Sequence, residues 1–242
     1  MQLYDMHSHI LPAFDDGAKT VEDSLALIDC LKKQGVRNIC LTPHFYTHEM
    51  GVEDFLFSRQ EAFERFKPYI PDDVNIVLGA EVYVTHYLFN NNDLSGLTYG
   101  NSKYILTEFA YSSTFNDRTM QFLDMLMRNH GLIPVIPHVE RYEYLIDNPE
   151  VIREMQDMGI IIQTNIKNYV SKAPFFKRRK LLKYIANGWI DILGSDAHSF
   201  SHNTPEDFSE AMKTIAEKCG EDTLARMMKN SEKIFSRAIF GN

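Results

Sequence analysis

DMHSHILPAFDDG, residues 5–17, decides how the rest of the chain is read. Residues two apart on an extended strand point to the same side, so His7 and His9 present two imidazoles together and can grip one ion. The strand that carries them, Leu3 to His9, is followed by an amphipathic segment from Val21 to Gln34, with Leu25, Ile28 and Leu31 on one face and Gly35 to close it. A strand leading into a helix is half of a βα repeat, and the pattern recurs.

Six further apolar runs follow: Arg37 to Thr42, Val74 to Ala80, Tyr104 to Phe109, Ile133 to Pro137, Gly159 to Thr164 and Ile190 to Gly194. Several are nearly continuous in Ile, Val and Leu, as strands buried on both faces are. Helical spacing predicts helices over Val52 to Phe66, Asn116 to Asn129, Pro149 to Met158, Pro174 to Asn187 and Pro205 to Lys218. Two short helices, Asp222 to Lys229 and Glu232 to Ile239, are expected to end the chain. Seven alternating strands within 242 residues, with no linker or low-complexity stretch, predict one α/β barrel domain over residues 1–242.

Barrel enzymes build their sites where the strands end. Strand one ends in His7 and His9, strand two at His44, strand three at Glu81, strand four at Glu108, strand five at His138, and strand seven at Asp196 with His198. Alternation puts Asp196 and His198 on one face, provided the strand persists past Gly194. Imidazole nitrogens mixed with carboxylate oxygens suit divalent zinc, manganese or iron better than calcium or magnesium. His48, His86, His130 and His202 lie away from strand ends and fall outside this set.

Other chemistries are disfavoured. The formal charge of −8 gives no general attraction to nucleic acid or anionic lipid. No run approaches the length of a membrane-spanning helix and no secretory signal opens the chain, so a cytoplasmic protein is expected. Cys30, Cys40 and Cys219 form no C-x-x-C pair, and the nearest following arginines, Arg37 and Arg226, stand one residue too far for a cysteine-dependent phosphate loop.

These residues resemble the polymerase and histidinol phosphatase (PHP) superfamily, marked by an early His-x-His and a distorted (β/α)7 barrel. The strings DMHSHILPAFDDGAKTVEDS, LTPHF, GAEVYVT, ILTEF, PVIPHVERY and LGSDAH are similar to the manganese-dependent bacterial tyrosine phosphatases of capsule and exopolysaccharide operons. The resemblance implies three metal sites: His7, His9, Glu81 and Asp196; then Glu81 bridging to Glu108 and His138; then Asp16, His44 and His198. It implies that Arg141 contacts substrate phosphate, and that the substrate is a phosphotyrosine protein, the tail of a tyrosine kinase governing polysaccharide export. A second arginine expected after the final Asp-x-His is missing from SFSHNTPEDF, where His202 or Asn203 is the candidate substitute.

Three divalent ions would outweigh the four carboxylates Asp16, Glu81, Glu108 and Asp196, leaving a positive site for a phosphate dianion. Tyr142, Tyr144 and Tyr169 are placed at the same end, where they would flank a phosphotyrosine ring. The competing readings are a small-molecule phosphatase such as histidinol phosphatase, and a noncatalytic metal-binding regulatory domain.

Overall fold

A computed structural model describes residues 1–90 and 93–241. Among the described residues nine strands appear, all paired in parallel: β1 (Leu3–Asp5), β2 (Val36–Leu41), β3 (His44–Phe45), β4 (Asn75–Leu78), β5 (Glu81–Tyr83), β6 (Tyr104–Glu108), β7 (Ile133–Ile136), β8 (Ile161–Asn165) and β9 (Ile192–Gly194). Two of the predicted strands, Arg37 to Thr42 and Val74 to Ala80, are each followed after a short break by a further strand that sequence reading did not include. Pro43, which has no N–H to donate, separates β2 from β3, and Gly79-Ala80 separates β4 from β5. The ladder still crosses both gaps, because Gly79 N donates to Leu41 O at 2.8 Å and Glu81 N to Pro43 O at 3.0 Å.

The nine strands are therefore seven staves in the order β1, β2/β3, β4/β5, β6, β7, β8, β9. The last stave returns to the first. Met6 N donates to Leu193 O (3.3 Å), Asp196 N to His7 O (2.7 Å) and His9 N to Ala197 O (2.9 Å), which closes a distorted barrel. This seam joins the first ligand motif to the last.

Helices α1 (Val21–Lys33), α2 (Val52–Phe66), α3 (Asp117–His130), α4 (Glu143–Asp147), α5 (Pro149–Asp157) and α6 (Phe175–Ala186) lie between the staves in sequence, and α7 (Phe208–Cys219) follows the last of them. Thr20 and Asp23 form a capping box that fixes where α1 begins after the DDG turn. The two short terminal helices expected from sequence are one, α8 (Glu221–Phe240). Asn230-Ser231 had the look of a break, but the Ser231 hydroxyl donates to Met227 O one turn back and the helix continues.

The apolar core has two parts. The larger packs helices against the outside of the barrel, around Leu27, Leu41, Ile105, Ile152 and Phe208. The smaller fills the interior with Tyr4, Met6, Cys40, Val77, Leu106, Val135 and Ile192, and is sealed by Ile234, Phe235 and Ala238 of α8.

Candidate metal centre

The eight donors predicted from strand ends, and Asp16, which the resemblance implied, come together at the carboxyl end of the staves. His7 Nε2 and His9 Nε2 stand 3.1 Å apart, and each lies 3.3 Å from Glu81 Oε2. Asp196 Oδ1 completes this group, 3.6 Å from His7 and 3.4 Å from His9. On one flank His138 Nε2 sits 2.7 Å from Glu81 Oε1 and 3.5 Å from Glu108 Oε1. On another, Asp16 Oδ1 is 3.5 Å from His44 Nε2 and 3.4 Å from His198 Nε2. His9 and His44 border more than one group, since His9 also belongs with Asp16, His44 and His198, and His44 with Glu81 and Glu108. The three clusters are contiguous.

Hydrogen bonds behind the rings fix which nitrogen faces inward. His9 Nδ1 donates to Asp15 Oδ2 (2.7 Å), leaving its Nε2 lone pair toward the cluster. Gln163 Oε1 accepts from His138 N (2.7 Å), which identifies it as oxygen, and it faces His7 Nδ1 at 3.4 Å. His198 Nδ1 donates to Asp196 O (2.7 Å). Asp5, beneath the site, accepts from Ser195 N and His7 N and so ties the first motif to the last.

The backbone is equally constrained. A Cβ on Gly17 would stand 1.9 Å from His9 O, and one on Gly194 would stand 2.6 Å from the His7 Cβ, so both close approaches require glycine. His138 (φ 33°) and Asp196 (φ 56°) adopt left-handed backbone, which costs of order 1 kcal/mol or more for such residues. Asp196 and His198 therefore do not share a strand face as alternation predicted. β9 stops at Gly194 and the turn at Asp196 aims the two side chains individually.

Two imidazole lone pairs facing each other at 3.1 Å repel unless something positive lies between them. In the protein alone that role falls to a proton. Burial opposes protonation of His7 and His9, but Glu81 and Asp196 beside His7, and Asp15 beside His9, hold both pKa values above the ordinary one. A divalent ion satisfies the same geometry, since donors about 2.1 Å from one ion stand roughly 3.0–3.4 Å from one another. The nitrogen and oxygen donor set fits such an ion, and the orphaned, buried Nδ1 of His44 lies 3.0 Å from Glu81 Oε2 without a hydrogen bond.

The carboxylates split in a way that suits this. Burial would raise the pKa of Glu81, yet the charge of His7 and the hydrogen bond from His138 pull it well below the ordinary range. Glu108 is raised, by burial and then by the Glu81 charge. His198 is lowered to about 4 by burial and by His9, so its ring is neutral at physiological pH.

Arg141 follows His138 in a short turn and donates to Asp196 Oδ2 at 2.6 Å and to the Tyr111 hydroxyl at 2.7 Å. Tyr111 in turn interacts electrostatically with Glu108, linking the arginine to the second cluster. Sequence reasoning missed Tyr111, which sits just past the stave that ends in Glu108. Tyr142 and Tyr169, predicted to flank the substrate ring, are instead buried: Phe109 N donates to the Tyr142 hydroxyl, and Tyr169 donates to Thr164. Tyr144, on α4, keeps 37% of its surface exposed.

His202 is exposed, its ring edge-on to His198 at 5.1 Å. Asn203 is buried, donating to Asp196 Oδ2 (2.8 Å) and accepting from Lys167 (2.6 Å). Asp15 was also missed: in DDG it is the first aspartate that is buried behind His9, while Asp16 is 68% exposed.

Fold and donors together define a parallel βα barrel with a mixed imidazole–carboxylate cluster at its carboxyl end that could hold metal ions. The model of the capsular polysaccharide synthesis CpsB/CapC family matches residues 3–236, and the chain belongs to that family. It is 34% identical over 231 residues to the tyrosine-protein phosphatase CpsB of Streptococcus pneumoniae, covering 90% of this chain and 91% of that protein. It is 29% identical over 248 residues to the tyrosine-protein phosphatase YwqE of Bacillus subtilis, covering 98% and 94%. A chain from the crystal structures of YwqE and CpsB, described as unique metal-dependent tyrosine phosphatases, superposes with a TM-score of 0.78 at 25% identity, covering 97% of this chain and 94% of that one. The phosphotriesterase homology protein of Escherichia coli shares the fold, with a TM-score of 0.59 at 14% identity and coverage of 97% and 98%.

Proposed function

We propose that this chain is a metal-dependent phosphatase acting on phosphotyrosine in proteins, working as one domain. His7, His9, Glu81 and Asp196 would hold one ion, Glu81, Glu108 and His138 a second, and Asp16, His44 and His198 a third, with manganese the native metal and iron or zinc able to fit. What carries the reading is the meeting of these nine side chains beside an arginine whose guanidinium donates to one of them, Asp196. The substrate is a phosphotyrosine protein of the cytoplasm, the tail of a bacterial tyrosine kinase that governs capsular polysaccharide synthesis. Support for that part comes from the family and from the names of the relatives.

Bound divalent ions supply Lewis acidity, which makes a water nucleophilic near neutral pH and offsets charge on the phosphoryl oxygens. The chain's own residues do the rest. Arg141 presents a planar fork to the nonbridging oxygens, held in place by Asp196 on one nitrogen and Tyr111 on the other. Asp196 divides its work, with Oδ1 toward the imidazoles and Oδ2 accepting from Arg141, Asn165 and Asn203. A phenolate leaves with less help than an alkoxide, which favours aryl phosphates. Cysteine chemistry has no part: Cys40 is fully buried with its thiol pKa pushed well up, and Cys30 and Cys219 are raised by burial too.

The test is turnover of a phosphotyrosine peptide, histidinol phosphate and single-stranded DNA by the manganese-loaded protein. Preference for the peptide, abolished by chelation and retained in a Cys30→Ser, Cys40→Ala, Cys219→Ser triple variant, is the expected result. Selective turnover of histidinol phosphate contradicts the substrate assignment. Metal binding without turnover of anything makes the chain a regulatory domain.

A further inference from the structure

Arg141 is not the only cation at the mouth of the site. β8 ends at Asn165 and passes into a short 3₁₀ turn, Ile166–Tyr169, in which Ile166, Asn168 and Tyr169 are all buried. Asn168 Nδ2 donates to Asn165 O (3.0 Å), and the Tyr169 hydroxyl donates to Thr164 (3.0 Å), so the turn is pinned on both sides. Lys167 is the one residue of the four that is not buried. Its ammonium donates to Asn203 Oδ1 at 2.6 Å, and Asn203 donates onward to Asp196 Oδ2, the oxygen that Arg141 also binds.

A lysine so placed is held against its own preference. Its pKa is lowered, first by burial and then by the neighbouring Arg141, while Asp196 and Glu140 only partly offset this. Glu140 is engaged elsewhere, accepting from Thr164 Oγ1 and from Asn165 N. The outer oxygen of Asp196 already takes three donors. Arg141 directly and Lys167 through Asn203 are thus tied to the same Asp196 oxygen, and a doubly charged anion would relieve the repulsion between the two cations. An ammonium has three donors and Asn203 takes one, which leaves two for a ligand.

We propose that Lys167 is a second phosphate-gripping residue, which with Arg141 holds the nonbridging oxygens of a phosphomonoester dianion. Asn203 is its positioning partner, fixing the ammonium relative to Asp196. The proposal deepens the phosphatase reading and rests on it for the identity of the substrate.

The test uses the full-length, manganese-loaded protein and its Lys167→Met and Lys167→Arg variants, with metal content and melting temperature confirming that each is intact. Inorganic phosphate is titrated calorimetrically, and KM and kcat are measured on a phosphotyrosine peptide. The expected result is a loss of phosphate affinity of about tenfold or more in Lys167→Met, with KM rising more than kcat falls, and recovery to within about threefold in Lys167→Arg. Phosphate affinity and KM unchanged in an intact Lys167→Met protein overturn the proposal. A wild-type protein that binds phosphate through Lys167 yet leaves phosphotyrosine untouched upholds this inference and sinks the phosphatase reading, so the two fail separately.

Discussion

The two mouths of the barrel can be compared residue for residue along the same staves. At the amino end, Tyr4, Tyr104 and Val77 pack against Ile234, Phe235 and Ala238 of α8, with Tyr4 and Phe235 meeting edge to face at 5.5 Å. At the carboxyl end, a few residues further along each stave, His7, His44, Glu81, Glu108 and His138 crowd together, and two ligand positions, His138 and Asp196, have left-handed backbone. One end gains stability from apolar burial. The other holds mutually repelling groups in place with second-layer hydrogen bonds and depends on that burial to keep its shape. Substitutions at the two ends should therefore separate cleanly into losses of activity and losses of stability.

The largest effect is expected at the carboxyl end. His138→Ala should lower turnover of a phosphotyrosine peptide by roughly 10³-fold or more, the scale of losing a group central to transition-state charge. Its melting temperature without metal should stay within a few degrees of wild type, read by calorimetry. Near-normal turnover would remove His138 from the centre.

Next is the opposite pattern. Phe235→Ala empties part of the α8 plug and should destabilise the protein by about 3–5 kcal/mol in denaturant titration, while activity per folded molecule is retained. If activity fell with little loss of stability, the division between the two ends would be wrong. A smaller change should follow from Asp15→Asn, which keeps the shape behind His9 but loses the charge that orients and polarises the ring. Manganese affinity should drop about 10- to 100-fold with the fold intact, as direct metal titration would report.

The smallest prediction concerns pH. In metal-free protein, His7 and His9 have raised pKa values, so their contribution is complete below the unfolded value and is lost as pH rises through the folded one. Buried Asp5, raised to about 6, acts in the same direction. Glu81, Asp15 and Asp196 are lowered, so their contribution is present above the unfolded carboxylate value and lost as pH falls. Metal-free protein should thus lose stability as pH rises above the ordinary histidine value. Saturating manganese should reverse the slope, because ions displace those protons and bind better as pH rises. Parallel slopes with and without metal would separate the imidazoles from the ions.

The comparison also explains what was legible in the sequence. Seven staves and eight donors followed from periodicity and from reading the residue at each strand end, since strand direction and barrel geometry carry those positions into one place; the ninth, Asp16, came only from the family resemblance. What escaped depended on turns and on contacts between distant segments. The left-handed turn at Asp196, the burial of Asp15 in place of Asp16, and the inward rotation of Tyr142 have no signature in spacing. Lys167 shows the same limit: its neighbour in space is Asn203, 36 positions away. At the amino end, the break expected at Asn230-Ser231 vanished because one continuous apolar face, from Leu224 to Ala238, outweighs a local weakness in helix propensity.

The most direct test is a crystal structure of the manganese-soaked protein with anomalous scattering recorded at the manganese edge. Peaks bounded by His7, His9, Glu81 and Asp196, by Glu81, Glu108 and His138, and by Asp16, His44 and His198 are predicted. Well-ordered side chains at those positions with no anomalous peak among them, under saturating manganese, would contradict the assignment.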